Sequence, residues 1–424
     1  MENKREKIAV IGLGYVGLPL ALAFGKHYET IGYDIDRNRI EDLITGNDYT
    51  NEVEVEDLKQ SDNIQFTSSL KDIQPSNIFI ITVPTPIDSN NNPDLTAIIK
   101  STEVIGSILK VDDIVVYEST VYPGLTEEIC VPILESYSGL KANKDFSYGY
   151  SPERINPGDK EHRLKDIVKI ISGSNEKATE KINNLYTSII SAGTHKANSI
   201  KVAEAAKVIE NIQRDVNIAL INELSIIFKE MGISTQEVLE ASSTKWNFHS
   251  YRPGLVGGHC IGVDPHYLAY KANLIGITPQ MINAGRSINE NMSRVVADEV
   301  LNLLSLKKID KSTAKVLILG FSFKANCPDS RNSKVADLFN ALKSEVYKVE
   351  IHDPTNDKHS VYAEYNISLV ENIESQDYDC VILAVGHDEF ENMGLDKIRA
   401  LCKENHVLYD VAYMFESNEV DGRL

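Results

Sequence analysis

Short β-branched runs alternate with helical stretches in two separate parts of this 424-residue chain. Strands that alternate with helices form parallel sheets with helices packed on their faces. The first part, from Lys7 to about Ala192, contains the predicted strands KIAVIG, ETIGYD, NIFIITV and DIVVYE. The second part begins after about Thr313 and contains AKVLILG, YKVEIHD, DCVILAV and HVLYDV. The pattern therefore predicts an α/β protein with two doubly wound domains.

A long amphipathic segment lies between the two parts. From Ile200 to Met231 apolar residues recur at three-to-four spacing, and Gly232 follows, which is typical of one helix that ends there. Such a helix would span about 48 Å, more than one domain needs. We expect it to link the domains and to pair with a second subunit in a homodimer. The predicted divisions are residues 1–195, a central helical region 196–300, and residues 301–424.

Composition excludes several classes of partner. The formal net charge of −19 argues against nucleic acid, whose phosphates need a field of Lys and Arg. The sequence has no run of about 18 apolar residues, and its charged N-terminus passes straight into a strand, so we expect neither a membrane span nor a signal peptide. Five widely spaced cysteines without a C-x-x-C pair favour reduced thiols over a metal site or disulfides. We therefore expect a cytoplasmic protein.

A glycine-rich turn follows the first predicted strand. Gly12, Gly14 and Gly17 form G-x-G-x-x-G around Tyr15 and Val16. The first glycine allows the tight turn, the second lets backbone approach a pyrophosphate, and the third permits close helix packing, as in a Rossmann-like dinucleotide site. The motif alone is a weak signal, because such a turn also occurs in sheets that bind no ligand.

An acidic residue at the end of the second strand strengthens the prediction. Asp34 lies seventeen residues beyond Gly17, where a carboxylate accepts hydrogen bonds from ribose hydroxyls and repels a 2′-phosphate. This favours NAD over NADP. Arg37 and Arg39 lie close to Asp34 and keep NADP open, and Arg39 is a candidate cofactor contact. The second α/β part has no such glycine motif, so we expect it to bind something other than a dinucleotide.

The segment from Arg252 to Leu268, RPGLVGGHCIGVDPHYL, is the most unusual in the chain. Its paired glycines and Gly262 flank Cys260, and we expect them to leave the thiol open to a bulky substrate. His259 precedes the thiol, but successive residues of extended chain point opposite ways, so it need not activate Cys260. Asp264 could orient water or receive a proton, and it could equally be a turn residue before Pro265.

Eight motifs together carry a family resemblance. GLGYVG, VPTPID, YESTVYPG, SPERINPG, AEAAKVIEN, PGLVGGHCIGVDP, GFSFKANCPDSR and the terminal DGRL occur in the order seen in the UDP-glucose/GDP-mannose dehydrogenase family, which the chain resembles over essentially its whole length. The resemblance implies an N-terminal NAD domain, a central dimerisation region and a C-terminal nucleotide-sugar domain. It also implies a four-electron oxidation at the sixth carbon of the sugar with two NAD.

The resemblance also implies catalytic roles. Cys260 is similar to the family nucleophile, whose thiohemiacetal and thioester carry the aldehyde to the acid. Asp264 matches the aspartate that works with a bound water, and Glu153 the base for the hydrolytic water. Lys207 matches the lysine that stabilises an oxyanion or takes the alcohol proton, and Asn211 its substrate-side partner. Without the motif, Lys207 and Asn211, with Glu204 one turn before, would describe a solvated helix face.

Binding positions follow from the same resemblance. The residues that match positions near the nicotinamide and its ribose are Thr85, Ser119 and Thr120. Those that match diphosphate contacts of the substrate are Lys324 and Arg423, whereas Arg331 matches a residue that reaches the cofactor. The expected substrate contacts also include Arg252, Gly257 and His259.

The sugar is predicted from departures within the motifs. UDP-glucose enzymes usually carry Ser before the catalytic Cys and Lys shortly after it, where this chain has His259 and Val263. TKWNF, VDP and GHDEF instead resemble the branch that oxidises UDP-N-acetylhexosamines for surface polysaccharides, including the Vi-antigen type, although His266 departs from its usual tyrosine. We favour UDP-N-acetylglucosamine, with the galacto epimer, UDP-N-acetylmannosamine and UDP-glucose as alternatives. A two-electron hydroxyacid dehydrogenase and a non-catalytic assembly scaffold remain open.

Overall fold

The computed structural model describes residues 6–50, 52–53, 55–59, 63–154 and 163–424. The chain divides into two compact units. Unit 1 comprises residues 1–210 and 266–277, and unit 2 comprises residues 211–265 and 278–424. The three-part division at residues 195 and 300 stays a prediction. Part of the SPERINPG motif, residues 155–158, lies outside the described residues.

Unit 1 is built on an eight-stranded sheet in the order β3-β2-β1-β4-β5-β6-β7-β8. Its first six strands are parallel, β7 runs antiparallel to β6, and β8 is parallel to β7. The order 3-2-1-4-5-6 is that of a Rossmann fold. The strands are β1 Lys7–Ile11, β2 Glu29–Tyr33, β3 Ile64–Thr67, β4 Ile78–Ile81, β5 Ile114–Tyr117, β6 Ser147–Tyr150, β7 Lys169–Gly173 and β8 Thr194–Lys196.

Seven helices connect the described parts of this sheet. They are α1 Gly17–Gly25, α2 Arg37–Thr45, α3 Val55–Lys59, α4 Leu70–Ile73, α5 Thr96–Gly106, α6 Val131–Ser138 and α7 Glu176–Thr187. Polar side chains begin some of them, because a free backbone N–H at a helix start needs an acceptor: Asp36 caps α2 and Asn175 caps α7. The buried core packs strand residues such as Ile8 and Val10 against Leu20 and Phe24 of α1.

The predicted long helix is present as α8 Ile200–Glu230. Gly232 follows with φ 70°, a left-handed conformation that favours glycine after a helix end. The division between the two units falls within this helix. Three further helices follow, α9 Thr235–Ser243, α10 Asp264–Leu274 and α11 Gln280–Leu306.

Unit 2 contains a second, five-stranded parallel sheet in the order β10-β9-β11-β12-β13. Alternate residues of β9 point to opposite faces, so Val316 and Ile318 join one buried cluster while Leu317 and Leu319 join the other. The strands are β9 Lys315–Leu319, β10 Lys348–His352, β11 Tyr378–Leu383, β12 Cys402–Asp410 and β13 Gly422–Arg423. The helices of this sheet are α12 Lys334–Leu342, α13 Lys358–Tyr365 and α14 Asp388–Arg399.

Both sheets confirm the predicted α/β class with its two doubly wound domains and long central helix. Strand order reverses between β1 and β4 in unit 1, and between β9 and β11 in unit 2. Ligands of such sheets bind at the carboxyl ends of the strands beside this reversal. Among the described residues, no helix is both long and apolar enough to cross a membrane.

Candidate functional site

The glycine turn after β1 has the shape that a dinucleotide requires. Gly12 has φ +94°, and a Cβ on Gly17 would lie 1.8 Å from the Gly12 carbonyl oxygen, so both positions exclude a side chain. A Cβ on Gly14 would meet nothing within 4 Å. The turn is therefore packed on one side and open at Gly14, where a pyrophosphate could approach the backbone at the start of α1. Tyr15 and Val16 are half-buried beside it.

Asp34 lies at the end of β2 and is tied to the same turn. One of its carboxylate oxygens accepts a hydrogen bond from the Leu13 backbone N–H at 2.8 Å. Arg39 is 2 % exposed, donates from Nε to the Leu13 carbonyl at 2.9 Å, and pairs with Asp48 at 2.8 Å. The Arg39 charge is thus compensated inside the protein, whereas Arg37 is exposed. Arg39 as a cofactor contact stays a prediction.

Loops after β4 and β5 carry Thr85, Ser119 and Thr120. The Ser119 hydroxyl is buried and donates to the Val83 carbonyl at 2.7 Å, which joins the two loops. Thr85 and Thr120 are half-buried. Tyr267 is fully buried, and its hydroxyl donates to the Thr85 carbonyl at 2.9 Å. The backbone around Thr85 is therefore held from α10.

The helix face of α8 that carries Lys207 and Asn211 is buried, which shows that the alternative of a solvated face is wrong. Glu204 is 0 %, Lys207 6 % and Asn211 7 % exposed. The Glu204 carboxylate accepts hydrogen bonds from the backbone N–H groups of Gly124 at 2.6 Å and Thr126 at 3.0 Å. Burial raises the pKa of Glu204 to about 7. Glu204 thus anchors the loop after β5 to α8.

Glu153 lies just after β6 and is 7 % exposed. One of its carboxylate oxygens accepts a hydrogen bond from Lys169 at 2.8 Å. The next residue, Arg154, donates to the carbonyls of Ala206 at 2.8 Å and Lys207 at 3.0 Å. Lys169 thus holds the Glu153 side chain. The Arg154 side chain ties this segment of the chain to the turn of α8 that bears Lys207.

In unit 2, Cys260 lies in a loop that a second loop clamps. All five cysteines are within the described residues; four are buried and Cys260 is exposed. The Asn332 side chain donates to the Gly258 carbonyl at 2.9 Å, and the Gly258 N–H donates to the Asn332 carbonyl at 3.2 Å. Cys327, one of the four buried thiols, is 1 % exposed.

The glycines around Cys260 lie where other parts of the chain approach closely. A Cβ on Gly257 would lie 2.5 Å from the Asn332 carbonyl oxygen, and one on Gly262 would lie 2.7 Å from the Asn332 side chain. A Cβ on Gly258, where φ is +77°, would lie 2.8 Å from the Phe323 ring. The three glycines allow this close approach of the protein's own chain. The expectation that they leave the thiol open to a bulky substrate stays a prediction.

His259 faces charged residues of the clamping loop. Its Nε2 lies 3.2 Å from an oxygen of buried Asp329, and exposed Arg331 lies next to this nitrogen and donates to the same carboxylate oxygen at 2.8 Å. Burial would raise the pKa of Asp329, but hydrogen bonds from His259 and Arg331 outweigh it and hold this pKa below its usual range. The segment with Cys260 is therefore linked by charge to the loop that carries Arg331.

Asp264 is the first residue of α10 and not merely part of a turn. It is 1 % exposed, and its carboxylate accepts a hydrogen bond from the Asn211 side chain at 2.5 Å. Its backbone N–H donates to the Cys260 carbonyl at 2.9 Å. The structure thus joins the three predicted catalytic residues that lie in unit 2, Asn211, Cys260 and Asp264.

The predicted cationic contacts of unit 2 occupy two places. Lys324 is half-buried after β9, at the strand reversal. Arg423 in β13 lies 5.2 Å and exposed Arg252 lies 5.9 Å from the centre of the Tyr413 ring. Arg423 also donates to the side chain of Gln236 at 2.5 Å. Two guanidinium groups therefore approach one ring.

Sequence reasoning missed four residues that hold these segments: Glu118, Lys169, Tyr267 and Asn332. Lys169 begins the apolar strand KIISG, and Glu118 directly follows the apolar run IVVY. A charge beside a buried run was therefore the available signal. Asn332 has φ 53°, which no sequence pattern indicated. Tyr267 occurs within VDPHYL and had no separate signal.

Models of one family match most of the chain. The NAD binding domain of the UDP-glucose/GDP-mannose dehydrogenase family matches residues 6–190, its central domain residues 201–291, and its UDP binding domain residues 317–417. These matches confirm the predicted family and the predicted cofactor, NAD. The UDP binding domain matches the part of unit 2 that contains the five-stranded sheet.

Individual proteins agree with this assignment. The chain is 54 % identical over 418 residues to UDP-N-acetyl-D-glucosamine 6-dehydrogenase of Pseudomonas aeruginosa, covering 99 % of each chain. It is 53 % identical to the enzyme of the same name from Salmonella typhi, covering 99 % of this chain and 98 % of that one. A solved UDP-D-ManNAc dehydrogenase from Pyrococcus horikoshii superposes with a TM-score of 0.89 at 29 % identity, covering 98 % of each chain. The chain therefore belongs to the UDP-glucose/GDP-mannose dehydrogenase family and is an NAD-dependent oxidoreductase.

Proposed function

We propose that the protein oxidises UDP-N-acetyl-D-glucosamine at the sixth carbon of the sugar to the uronic acid, with two NAD, for surface polysaccharide synthesis. The observation that carries the proposal is 54 % identity to a UDP-N-acetyl-D-glucosamine 6-dehydrogenase over 99 % of both chains. The exposed Cys260 in its clamped loop supports a covalent route.

The cofactor is assigned to the turn after β1. Gly12 and Gly17 shape the turn, Gly14 leaves room for the pyrophosphate, and Asp34 offers a carboxylate oxygen to the ribose. NAD supplies an acceptor for hydride when bound. Thr85, Ser119 and Thr120 are the proposed contacts near the nicotinamide, and Arg331 is a proposed further contact.

Cys260 gives the second oxidation a tetrahedral carbon. The thiol sulfur adds to the aldehyde carbon, the carbonyl oxygen takes up the thiol proton, and a thiohemiacetal forms. Loss of hydride and the hydroxyl proton leaves a thioester. Attack by water then breaks the carbon–sulfur bond, which releases the acid and restores the thiol.

Polar residues around these steps have proposed roles. Lys207 stabilises negative charge on the substrate oxygen or takes the alcohol proton. Asn211 and Asp264 act as a hydrogen-bonded pair, and Asp264 orients a water. Glu153 takes the proton of the hydrolytic water. The diphosphate contacts proposed from the resemblance are Lys324 and Arg423, and Arg252, Gly257 and His259 are proposed sugar-side contacts.

The second candidate function differs only in the sugar. The solved relative at a TM-score of 0.89 is a UDP-D-ManNAc dehydrogenase, which favours UDP-N-acetylmannosamine as the alternative. Its identity of 29 % is well below 54 %, so we place UDP-N-acetylglucosamine first.

We further propose a cytoplasmic homodimer. Four apolar side chains of α8 are 45–59 % exposed, Val202, Ile209, Leu220 and Ile227. Their spacings of 7, 11 and 7 residues place them on one stripe of the helix, a surface suited to a second copy. The five widely spaced cysteines have no C-x-x-C pair, a pattern that favours the reduced thiols of a reducing compartment. Light scattering of the protein as it elutes from a size-exclusion column should give twice the mass of one chain. The Ile209→Lys variant should give the mass of one chain.

The deciding experiment measures NADH formed per sugar. Purified protein receives NAD and, in separate reactions, UDP-N-acetylglucosamine, UDP-N-acetylgalactosamine, UDP-N-acetylmannosamine or UDP-glucose. We expect two NADH per molecule and the highest kcat/KM with UDP-N-acetylglucosamine. One NADH per sugar would indicate a two-electron dehydrogenase, and none with any sugar would favour a scaffold.

Cys260→Ala should abolish acid formation while NAD still binds, and unchanged turnover would place the nucleophile elsewhere.

A further inference from the structure

Two buried carboxylates of unit 1 share one buried lysine. Lys169 Nζ lies 2.7 Å from Glu118 Oε2 and 2.8 Å from Glu153 Oε2. Glu118 is 1 %, Lys169 3 % and Glu153 7 % exposed. The fully buried Tyr186 hydroxyl donates to the other oxygen of Glu118. The four residues thus form a single charged cluster. They come from four segments of the chain: the residues after β5, the residues after β6, β7 and α7.

The charges of this cluster do not balance when both carboxylates are ionised. Two carboxylates near one ammonium group compete for it, and one of them then holds its proton more tightly. Burial, followed by the charge of Glu153, raises the pKa of Glu118 to about 7, although Lys169 and Tyr186 oppose the rise. Burial would lower the pKa of Lys169, but the two carboxylates outweigh it and raise this pKa. The ammonium group is therefore retained, and Glu118 is the member that titrates near neutral pH.

The cluster touches the segments that carry the proposed site residues of unit 1. Glu118 directly precedes Ser119 and Thr120 in the chain. Arg154, which follows Glu153, donates to the Lys207 carbonyl and pairs with Glu210 at 2.9 Å. Among the described residues, the Lys169 ammonium group and the Tyr186 hydroxyl contact these carboxylates, and the Arg154 guanidinium group follows Glu153 in the chain.

We propose that Lys169 is a positioning residue that keeps Glu153 oriented and ionised as the base of thioester hydrolysis, and that ionisation of Glu118 tunes the basicity of Glu153. This inference rests on the proposed function. When Glu118 is protonated, Lys169 pairs with Glu153 alone and lowers its affinity for a proton. When Glu118 is ionised, its negative charge offsets Lys169, and Glu153 takes the proton of water more readily as the hydroxide adds to the thioester carbon. The hydrolytic step should therefore quicken as pH rises through the titration of Glu118.

The first test uses Lys169→Met, which removes the charge at similar length, and Lys169→Arg, which restores it. With NAD and UDP-N-acetylglucosamine, we expect Lys169→Met to form two NADH per subunit in a burst and then slow about 100-fold. Intact-mass measurement should show the uronyl thioester accumulating on the protein. Lys169→Arg should recover much of the turnover. Lys196→Met, which removes an exposed lysine paired with Glu180, should behave like the unaltered protein.

The second test uses Glu118→Gln, which cannot ionise. The turnover number of the unaltered protein should rise through an inflection near pH 7, and Glu118→Gln should lack that inflection while KM for the sugar and Kd for NAD change less than about two-fold. A folded Lys169→Met protein with normal turnover and no thioester would overturn the proposal. If Lys169→Met does not fold, a retained inflection in Glu118→Gln overturns it. If the unaltered protein reduces no NAD with any sugar, the proposed function itself fails.

Discussion

Gly258 and Asn332 hold each other through two hydrogen bonds, although they lie 74 residues apart in the chain. Gly258 donates its N–H to the Asn332 carbonyl at 3.2 Å and accepts the Asn332 side-chain amide at 2.9 Å. Both residues have positive φ, +77° and 53°. The loop before Cys260 is therefore fixed by a partner on another loop and not by its own sequence.

Gly258→Ala should destabilise unit 2. The new Cβ would lie 2.8 Å from the Phe323 ring at φ +77°, so left-handed strain and overpacking add, at a cost of about 2 kcal/mol or more. Chemical denaturation measures this loss. Gly254→Ala is the control, because its Cβ would meet nothing within 4 Å and its φ is not positive. Equal stability of the two variants would contradict the clamp.

Asn332→Ala should be less stable than Asn332→Gly. Both variants lose the side-chain hydrogen bond to Gly258, worth about 1 kcal/mol. Alanine also pays for the left-handed conformation, about 1 kcal/mol more, whereas glycine does not. The midpoint of urea unfolding checks the order. Alkylation of Cys260 by iodoacetamide should change in rate for both variants, and an unchanged rate would separate the clamp from the thiol.

Gly14→Ala should weaken NAD binding without loss of stability, because its Cβ would meet nothing within 4 Å of the protein but would occupy the space proposed for the pyrophosphate. Calorimetric titration should give a Kd at least about ten-fold higher, which corresponds to about 1.4 kcal/mol. Gly17→Ala is the comparison variant. Its Cβ would lie 1.8 Å from a carbonyl oxygen, so this variant should lose stability as well as NAD affinity. Normal NAD affinity in Gly14→Ala would move the pyrophosphate elsewhere.

Exchanging the side chains of Asn211 and Asp264 should distinguish their contribution to the free energy of unfolding from their contribution to turnover. Asn211→Asp alone sets two carboxylates at a buried contact of 2.5 Å and should cost about 1–3 kcal/mol. The double variant Asn211→Asp with Asp264→Asn restores one donor and one acceptor, so the free energy of unfolding should largely return. Turnover should stay low, because the carboxylate is then on α8. Full recovery of kcat would show that Asp264 has no specific role.

Glu204→Gln should reduce the slope with which the free energy of unfolding falls between pH 4.5 and 7, whereas the part contributed by Glu118 should remain. Burial raises the pKa of Glu204 to about 7, above the value of about 4.3 in an unfolded chain. Between these values the folded protein binds a proton that the unfolded chain has lost, so the free energy of unfolding falls as pH rises and levels off above 7. Denaturation at several pH values measures the slope. Glu180→Gln, at an exposed ion pair, should leave the slope unchanged.

The sequence by itself determined the two sheets, the long helix and the dinucleotide turn. Each of these depends on a local pattern. The β-branched runs match β1, β2, β4, β5 and the first four strands of unit 2. Helix α8 begins at Ile200 and ends one residue before the expected Met231, and the three glycines shape the turn after β1. Strands β3, β6, β7, β8 and β13 were not predicted, because they are short or carry weaker apolar runs.

Only the tertiary structure decided how the site residues are held. The pair of Asn211 with Asp264 spans 53 residues and that of Lys169 with Glu118 spans 51, and no local periodicity encodes such a contact. The same limit applies to the glycines beside Cys260. A glycine in sequence shows that a side chain is excluded there, whereas only the folded chain shows that Asn332 and Phe323 are what exclude it.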